Sequence, residues 1–267
     1  MSVTVKAMDD PTILRAEVDG REVTAEQLRF PSFTYGHFTA MQIRGRSVRG
    51  LELHLSRLDA ANHELFGAGL DGALVRDRIR HALGDDMADA AVRVYVGEGD
   101  NDDVSIMVTV RGPIEVTAEP IGLMSVPYQR SEPHIKHLAD HGQVYHRRRA
   151  ALAGFDDALL TGADGVIAEC GIANIAFFDG ASVVWPDAPA LQGITMQLVE
   201  PRLPNAGVAS RHAPVHLRDV GSYGAGFVTN SRGIVPVGRI DGVAVAVDAD
   251  LMRTVAEVYG SVPWDTI

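Results

Sequence analysis

The chain has 267 residues, 46% of them hydrophobic and 22% charged, with a formal net charge of -11. That length supports one large domain or two modest ones with a real core, and the acidic balance opposes broad binding to nucleic acid, whose phosphates need concentrated positive potential. No stretch reaches the roughly 18 to 20 apolar residues of a membrane-spanning helix, so no membrane partner is expected.

The N-terminal "MSVTVKAMDDPTILRAEVDG" lacks the charged start, apolar block and cleavage site of a secretory signal, which predicts a cytoplasmic protein. A single cysteine, Cys170, excludes an internal disulfide and any cysteine-cluster metal site. Its plainest role is to fill the core.

Along the chain, "ILRAEVDGREVTAE" predicts a hairpin turning at Asp19-Gly20, and "HFTAMQIRGRSV" a further strand and turn. In "LELHLSRLDAANHELFGAG", Leu51, His54, Leu55, Leu58, Asn62 and Leu65 fall at helical spacing and a glycine ends the run. A second helix over about 73–83 leads into "AAVRVYVGEG" and its antiparallel neighbour "DDVSIMVTVRG". Four prolines between residues 111 and 133, Pro113, Pro120, Pro127 and Pro133, mark a linker or crossing segment. The boundary is accordingly drawn near Glu119, giving domains 1–118 and 119–267.

Beyond it come a helix over about 143–153, three short strands in "DALLTGADGVIAECGIANIAFFDGASVVWP" with turns at Ala163-Asp164-Gly165 and Asp179-Gly180, a helix "ITMQLVEPRLP", a strand "GAGFVTNS" and a last helix "DADLMRTVAEVYG". No internal repeat or low-complexity tract interrupts them. The basic run "YHRRRA" reads as a solvated or salt-bridged helix face. His134, His137, His141 and His146 lack a compatible carboxylate arrangement, so no metal site is expected.

Lys136 stands out as one of two lysines, with Lys6, among 24 basic residues. A lysine that forms a Schiff base must spend time as the neutral amine, which a sheltered site favours. Ile135 and Leu138 are apolar neighbours consistent with shelter, although on spacing alone a surface lysine at a strand end is the favoured reading.

Five segments stand in one order: "HLSRL" with His54, Arg57 and Leu58; "IKHL" with Lys136; "GVIAECGIANIAFFDG" with Gly165, Glu169, Asn174 and Ile175; "LQGIT" with Gly193, Ile194 and Thr195; and "TNSRGIVPV" from Thr229 to Val237. Together they resemble the fold type IV pyridoxal-phosphate enzymes, the class IV aminotransferase family. The resemblance implies an α/β (α+β) fold of two domains, the smaller N-terminal and the larger C-terminal, with pyridoxal 5'-phosphate in the cleft between them. It also implies a homodimer whose second subunit lends loops to the site.

By the same resemblance, Lys136 forms the Schiff base and moves protons as general acid and base. Glu169 keeps the ring nitrogen protonated, because a carboxylate beside an N–H favours the charged form. Arg57, the helix start Gly193-Ile194-Thr195, and Asn230 with Ser231 take the phosphate, and Asn174 belongs to the same cofactor set. An amino acid or 2-oxo acid substrate needs donors for its carboxylate, and Tyr35, His37, Arg44 and Arg232 are candidates.

Departures from the family pattern complicate the reaction. Thr39 and Ala40 stand where a glutamate and a threonine are common, a feature that resembles 4-amino-4-deoxychorismate lyases, as do "IKHL" and "ECGIAN". Such a lyase would use Lys136 alike but eliminate pyruvate, with the Thr39 hydroxyl as a catalytic group near the reacting centre. Against it, Ala139 and Asp140 break the lyase-like "KHLN", and Glu98 and Met196 replace arginines common in the family. The expected activity is amino-acid transamination, the alternatives being the lyase and a non-catalytic metabolite-binding relative.

Overall fold

The structure is a computed structural model that describes residues 12–23, 35–99, 103–116, 118–139 and 141–267. Lys6, residues 24–26 of the expected hairpin, and Asp140 lie outside the described residues. The chain forms two compact units.

The first unit contains the described residues up to Glu115, together with Ile135–Ala139 and Pro263–Ile267. Strands β1 (Ile13–Val18) and β2 (Arg21–Glu22) make the expected hairpin, turning through Asp19 and Gly20, both at positive φ. They continue into β3 (Gly36–Ile43), β4 (Ser47–Arg49), helices α1 (Leu51–Phe66) and α2 (Gly72–Leu83), and strands β5 (Ala90–Glu98) and β6 (Val104–Arg111). Among the described residues the antiparallel sheet runs β2-β1-β6-β5-β3.

Alternation along β3 sorts its side chains between two faces. Met41 and Ile43 point with Val92, Val94, Ile106 and Val108 into a core closed by Leu51 and Leu58 of α1 and Val75 and Ile79 of α2. His37 and Thr39 share that buried face by the two-residue period, while Phe38 lies on the other. The free edge of β3 is covered by Ile135–Ala139. Phe38 N–H donates to the Lys136 carbonyl at 2.9 Å, and Leu138 N–H to the Gly36 carbonyl at 2.9 Å.

The second unit comprises Val116–His134 and 141–262. Its elements are β7 (Ile121–Pro127), α3 (His141–Leu152), β8 (Asp157–Thr161), β9 (Ile167–Cys170), β10 (Asn174–Phe178), β11 (Ser182–Pro186), α4 (Ile194–Val199), a 3-10 helix (Glu200–Ala206), β12 (Ala209–Ala213), a second 3-10 helix (Leu217–Ser222), β13 (Ala225–Asn230), β14 (Gly233–Ile240), β15 (Val243–Ala244) and α5 (Ala249–Gly260). The last strand, β16 (Trp264–Thr266), pairs with β4 in the first unit. The large sheet runs β12-β11-β10-β13-β14-β7-β8-β9, with β15 beside β14.

Two expectations need correction. The segment between residues 111 and 133 is not a linker throughout, because β7 lies inside the sheet and pairs in parallel with β8 and β14. Its apolar "IGLMSV" provides a strand that parallel partners flank on both sides. Secondly, the stretch after α3 contains four strands, since a break at Gly171–Ala173 separates β9 from β10.

The α3 run "YHRRRA" is partly internal. Arg147 Nε sits 3.0 Å from the buried Asp157 carboxylate, and Arg149 lies over the Tyr145 ring. Desolvation raises the Asp157 pKa against the lowering effect of Arg147.

Gly36 opens β3 at φ 150°, and a Cβ there would meet the Val96 carbonyl oxygen at 2.2 Å. Gly36→Ala should therefore destabilise the protein by about 2 kcal/mol or more, since backbone cannot yield as a side-chain tip does. Urea unfolding of the variant against wild type measures this.

Candidate active site

Lys136 belongs to the first unit through the pairing of its segment with β3. Its Nζ lies over the Phe38 ring, 4.7 Å from the centroid, and Phe38 in turn stacks on Tyr95 of β5 at 5.5 Å. Phe38 and Tyr95 are cross-strand partners, so the pleat itself builds the stack. A ring face attracts the ammonium form by about 0.5 to 2 kcal/mol, and the preceding residue, Ile135, is buried.

On the opposite face of β3, Thr39 is fully buried. Arg57 Nη2 donates to its Oγ1 at 2.6 Å, and His54 Nδ1 lies 2.6 Å from the same oxygen. His54 and Arg57 are three residues apart on α1, which puts both on the helix face that meets β3. Burial, helped by the Arg57 charge, holds the His54 pKa well below the ordinary histidine value.

The other candidates in this unit are spread out. His37 is buried and lies 3.4 Å from Asn62 Oδ1. Burial lowers its pKa to about 4, the Asn62 hydrogen bond opposing and the Arg57 charge adding to the shift. Arg44 donates to the carbonyls of Ile43 and Ile114 and to Gln42, tying down the β3–β4 turn. Tyr35 is exposed and meets Phe66 edge to face.

In the second unit, Glu169 of β9 is 5% exposed and accepts from Arg130 Nη1 at 3.2 Å. Leu191 N–H reaches its other oxygen at 3.4 Å. Arg130 escaped the sequence reading because it sits among prolines assigned to a linker; it is 6% exposed. An arginine in an otherwise unexplained Pro-rich stretch was the available signal, since a buried guanidinium requires a carboxylate partner.

Asn174 begins β10 and fixes the turn before α4. Its Oδ1 accepts from Gly193 N–H at 3.1 Å and its Nδ2 donates to the Leu191 carbonyl at 2.7 Å. A Cβ on Gly193 would lie 2.0 Å from Asn174 Oδ1, so glycine is what the close approach requires. Thr195 donates through Oγ1 to the Asn230 carbonyl at 2.7 Å, and Asn230 Oδ1 accepts from Arg232 N–H at 2.8 Å. The start of α4 is thus joined to the β13–β14 turn carrying Ser231 and Arg232.

No group of three or more His, Cys, Asp or Glu side chains that could hold a metal ion occurs among the described residues. No helix among them is long and apolar enough to cross a membrane.

A family model for amino-transferase class IV matches residues 36–240. The chain belongs to the class IV aminotransferases. Solved structures with this fold include the branched-chain amino acid aminotransferase from Escherichia coli, at a TM-score of 0.80 and 16% identity, over 94% of this chain and 95% of that one. A putative 4-amino-4-deoxychorismate lyase from Legionella pneumophila matches at 0.78 and 17% identity, over 89% of this chain and 98% of that one. A hypothetical aminotransferase from Mycobacterium tuberculosis in its PLP-bound form gives 0.79 and 15% identity, over 93% of this chain and 98% of that one. No curated protein matches the sequence.

The family comprises pyridoxal-phosphate enzymes, both aminotransferases and lyases. Each unit by itself carries donors of the kind that group needs: an amine and a guanidinium in the first, a buried carboxylate and a turn rich in backbone and hydroxyl donors in the second.

Arg130→Met should leave Glu169 buried without this cation, at a cost of about 3 kcal/mol in denaturant unfolding. A second expected outcome concerns pH. His37 is neutral in the folded unit down to about pH 4 but ionises near 6.5 when unfolded. The unfolded state therefore takes up its proton first, and stability is intact above about 6.5 and declines toward pH 4, by on the order of 3 kcal/mol for this residue. His54 acts in the same sense. Unfolding free energies across pH 7 to 4 should fall less steeply in His37→Gln than in wild type.

Proposed function

We propose that this enzyme transfers an amino group between an amino acid and a 2-oxo acid, with pyridoxal phosphate carried on Lys136. The observation that carries the reading is the placement of Lys136, whose amine rests on the Phe38 ring at 4.7 Å from its centroid. The aromatic face fixes where the amine stands, in a segment whose Ile135 is buried.

When bound, the cofactor supplies the electron sink that makes the substrate's Cα proton acidic. Lys136 would hold the cofactor through Nζ and would move the proton at the substrate's Cα as general acid and base. Glu169, braced by Arg130, holds a proton on the ring nitrogen. The phosphate candidates are Arg57 in the first unit and, in the second, the Gly193–Thr195 turn with Asn230–Ser231. Asn174 serves by holding that turn. Tyr35, His37, Arg44 and Arg232 are the substrate-carboxylate candidates; His37 is buried against Asn62, and Arg44 and Tyr35 each donate to backbone carbonyls. A cytoplasmic homodimer completes the proposal, supported by the family pattern and by a single, buried cysteine.

Lyase activity is the second reading, favoured by Thr39 at the position usually held by glutamate. Its hydroxyl is occupied by His54 and Arg57 and the residue has no exposed surface, which supports transamination over it. The third, a metabolite-binding relative without catalysis, gives no reason to keep Lys136, Glu169 and Arg57 together.

Purified protein should be yellow, and borohydride should fix the cofactor to Lys136; colourless protein that takes up no added cofactor supports the metabolite-binding reading instead. Lys136→Ala should fold normally and lose turnover by several orders of magnitude, and near-wild-type rates in that variant would remove the assignment. Amino donors alone should convert the bound cofactor to its amine form. Pyruvate release from aminodeoxychorismate without that conversion would instead identify the lyase.

A further inference from the structure

We infer that Thr39 is a positioning residue, which orients Arg57 for the cofactor's phosphate and exchanges no proton with substrate. The inference rests on the pyridoxal-phosphate reading given above.

Donor logic carries it. A guanidinium can only donate, so the 2.6 Å contact from Arg57 Nη2 makes Thr39 Oγ1 the acceptor. The same oxygen is held from a second side by His54 Nδ1, 2.6 Å away, which pairs with it as acceptor or donor according to the ring's tautomer. Burial, reinforced by Arg57, keeps the ring uncharged. Thr39 Oγ1 is therefore engaged by both Arg57 and His54 and fully buried, behind the strand whose other face carries Phe38 and Lys136.

The chemistry of the substitution points the same way. A glutamate at this position would set a full negative charge against the guanidinium. A threonine backed by a neutral imidazole fixes the fork's direction without neutralising it, which suits a group that meets an anion. Arg57 itself is only partly buried, as a group that meets a ligand must be.

Thr39→Val keeps the shape and removes both hydrogen bonds; Thr39→Ser keeps them. Affinities of the apoprotein for pyridoxal 5'-phosphate and for pyridoxal, which lacks the phosphate, are measured by fluorescence and absorbance titration, alongside thermal midpoints. Thr39→Val should bind pyridoxal phosphate about tenfold more weakly, equivalent to about 1.4 kcal/mol, bind pyridoxal as wild type does, and be rescued by Thr39→Ser. Wild-type affinity for both ligands in Thr39→Val, with turnover lost, would place the hydroxyl at the reacting atoms and overturn the inference alone. Equal weakening for both ligands, or a valine variant too unstable to bind either together with a serine variant that fails to restore the phosphate preference, overturns it as well, because the role is then general support of the fold. Absence of pyridoxal-phosphate binding by the wild type overturns both this inference and the reading beneath it.

Discussion

Two backbone hydrogen bonds, Phe38 N–H to Lys136 and Leu138 N–H to Gly36, hold the lysine segment on the open edge of the first sheet. An unpaired edge is a row of unsatisfied donors and acceptors, and a segment distant in sequence satisfies it here. The pairing sets the register by which Lys136 meets Phe38. Because strand faces alternate, it also leaves Thr39 to the buried side, where α1 delivers His54 and Arg57. Gly36 is where that edge demands a residue without a side chain, since the Val96 carbonyl fills the space.

A second constraint governs the other unit. Glu169 is buried in the sheet and survives as a carboxylate partner because Arg130 is buried with it. Isolated, either charge would be strongly unfavourable. The strand that comes next, β10, starts with Asn174, whose amide closes the Gly193 turn, and α4 and the β13–β14 turn are joined through Thr195. Few side chains thus fix several backbone segments.

Much of this was legible in the sequence. The alternation in β3, β5 and β6 and the glycine-terminated α1 were strong local signals, and Lys136, Glu169 and Arg57 stood out by motif order. Arg130 and β7 did not, for one reason: prolines on either side suggested a connection, whereas the apolar run between them acquires its strand state only from parallel partners far away in sequence. The break at Gly171–Ala173 was hidden similarly, within a run that was apolar on both sides.

Sequence alone determined the elements whose periodicity is local, the turns at Asp19-Gly20, Asp164-Gly165 and Asp179-Gly180, and the family of the chain, because these depend on short-range sterics and residue order. Only the tertiary structure decided that Thr39 faces Arg57 and His54, that His37 is buried against Asn62, and that Arg130 belongs with Glu169. Those contacts join residues whose partners are set by strand register and helix packing, and neither is written in any single stretch of chain.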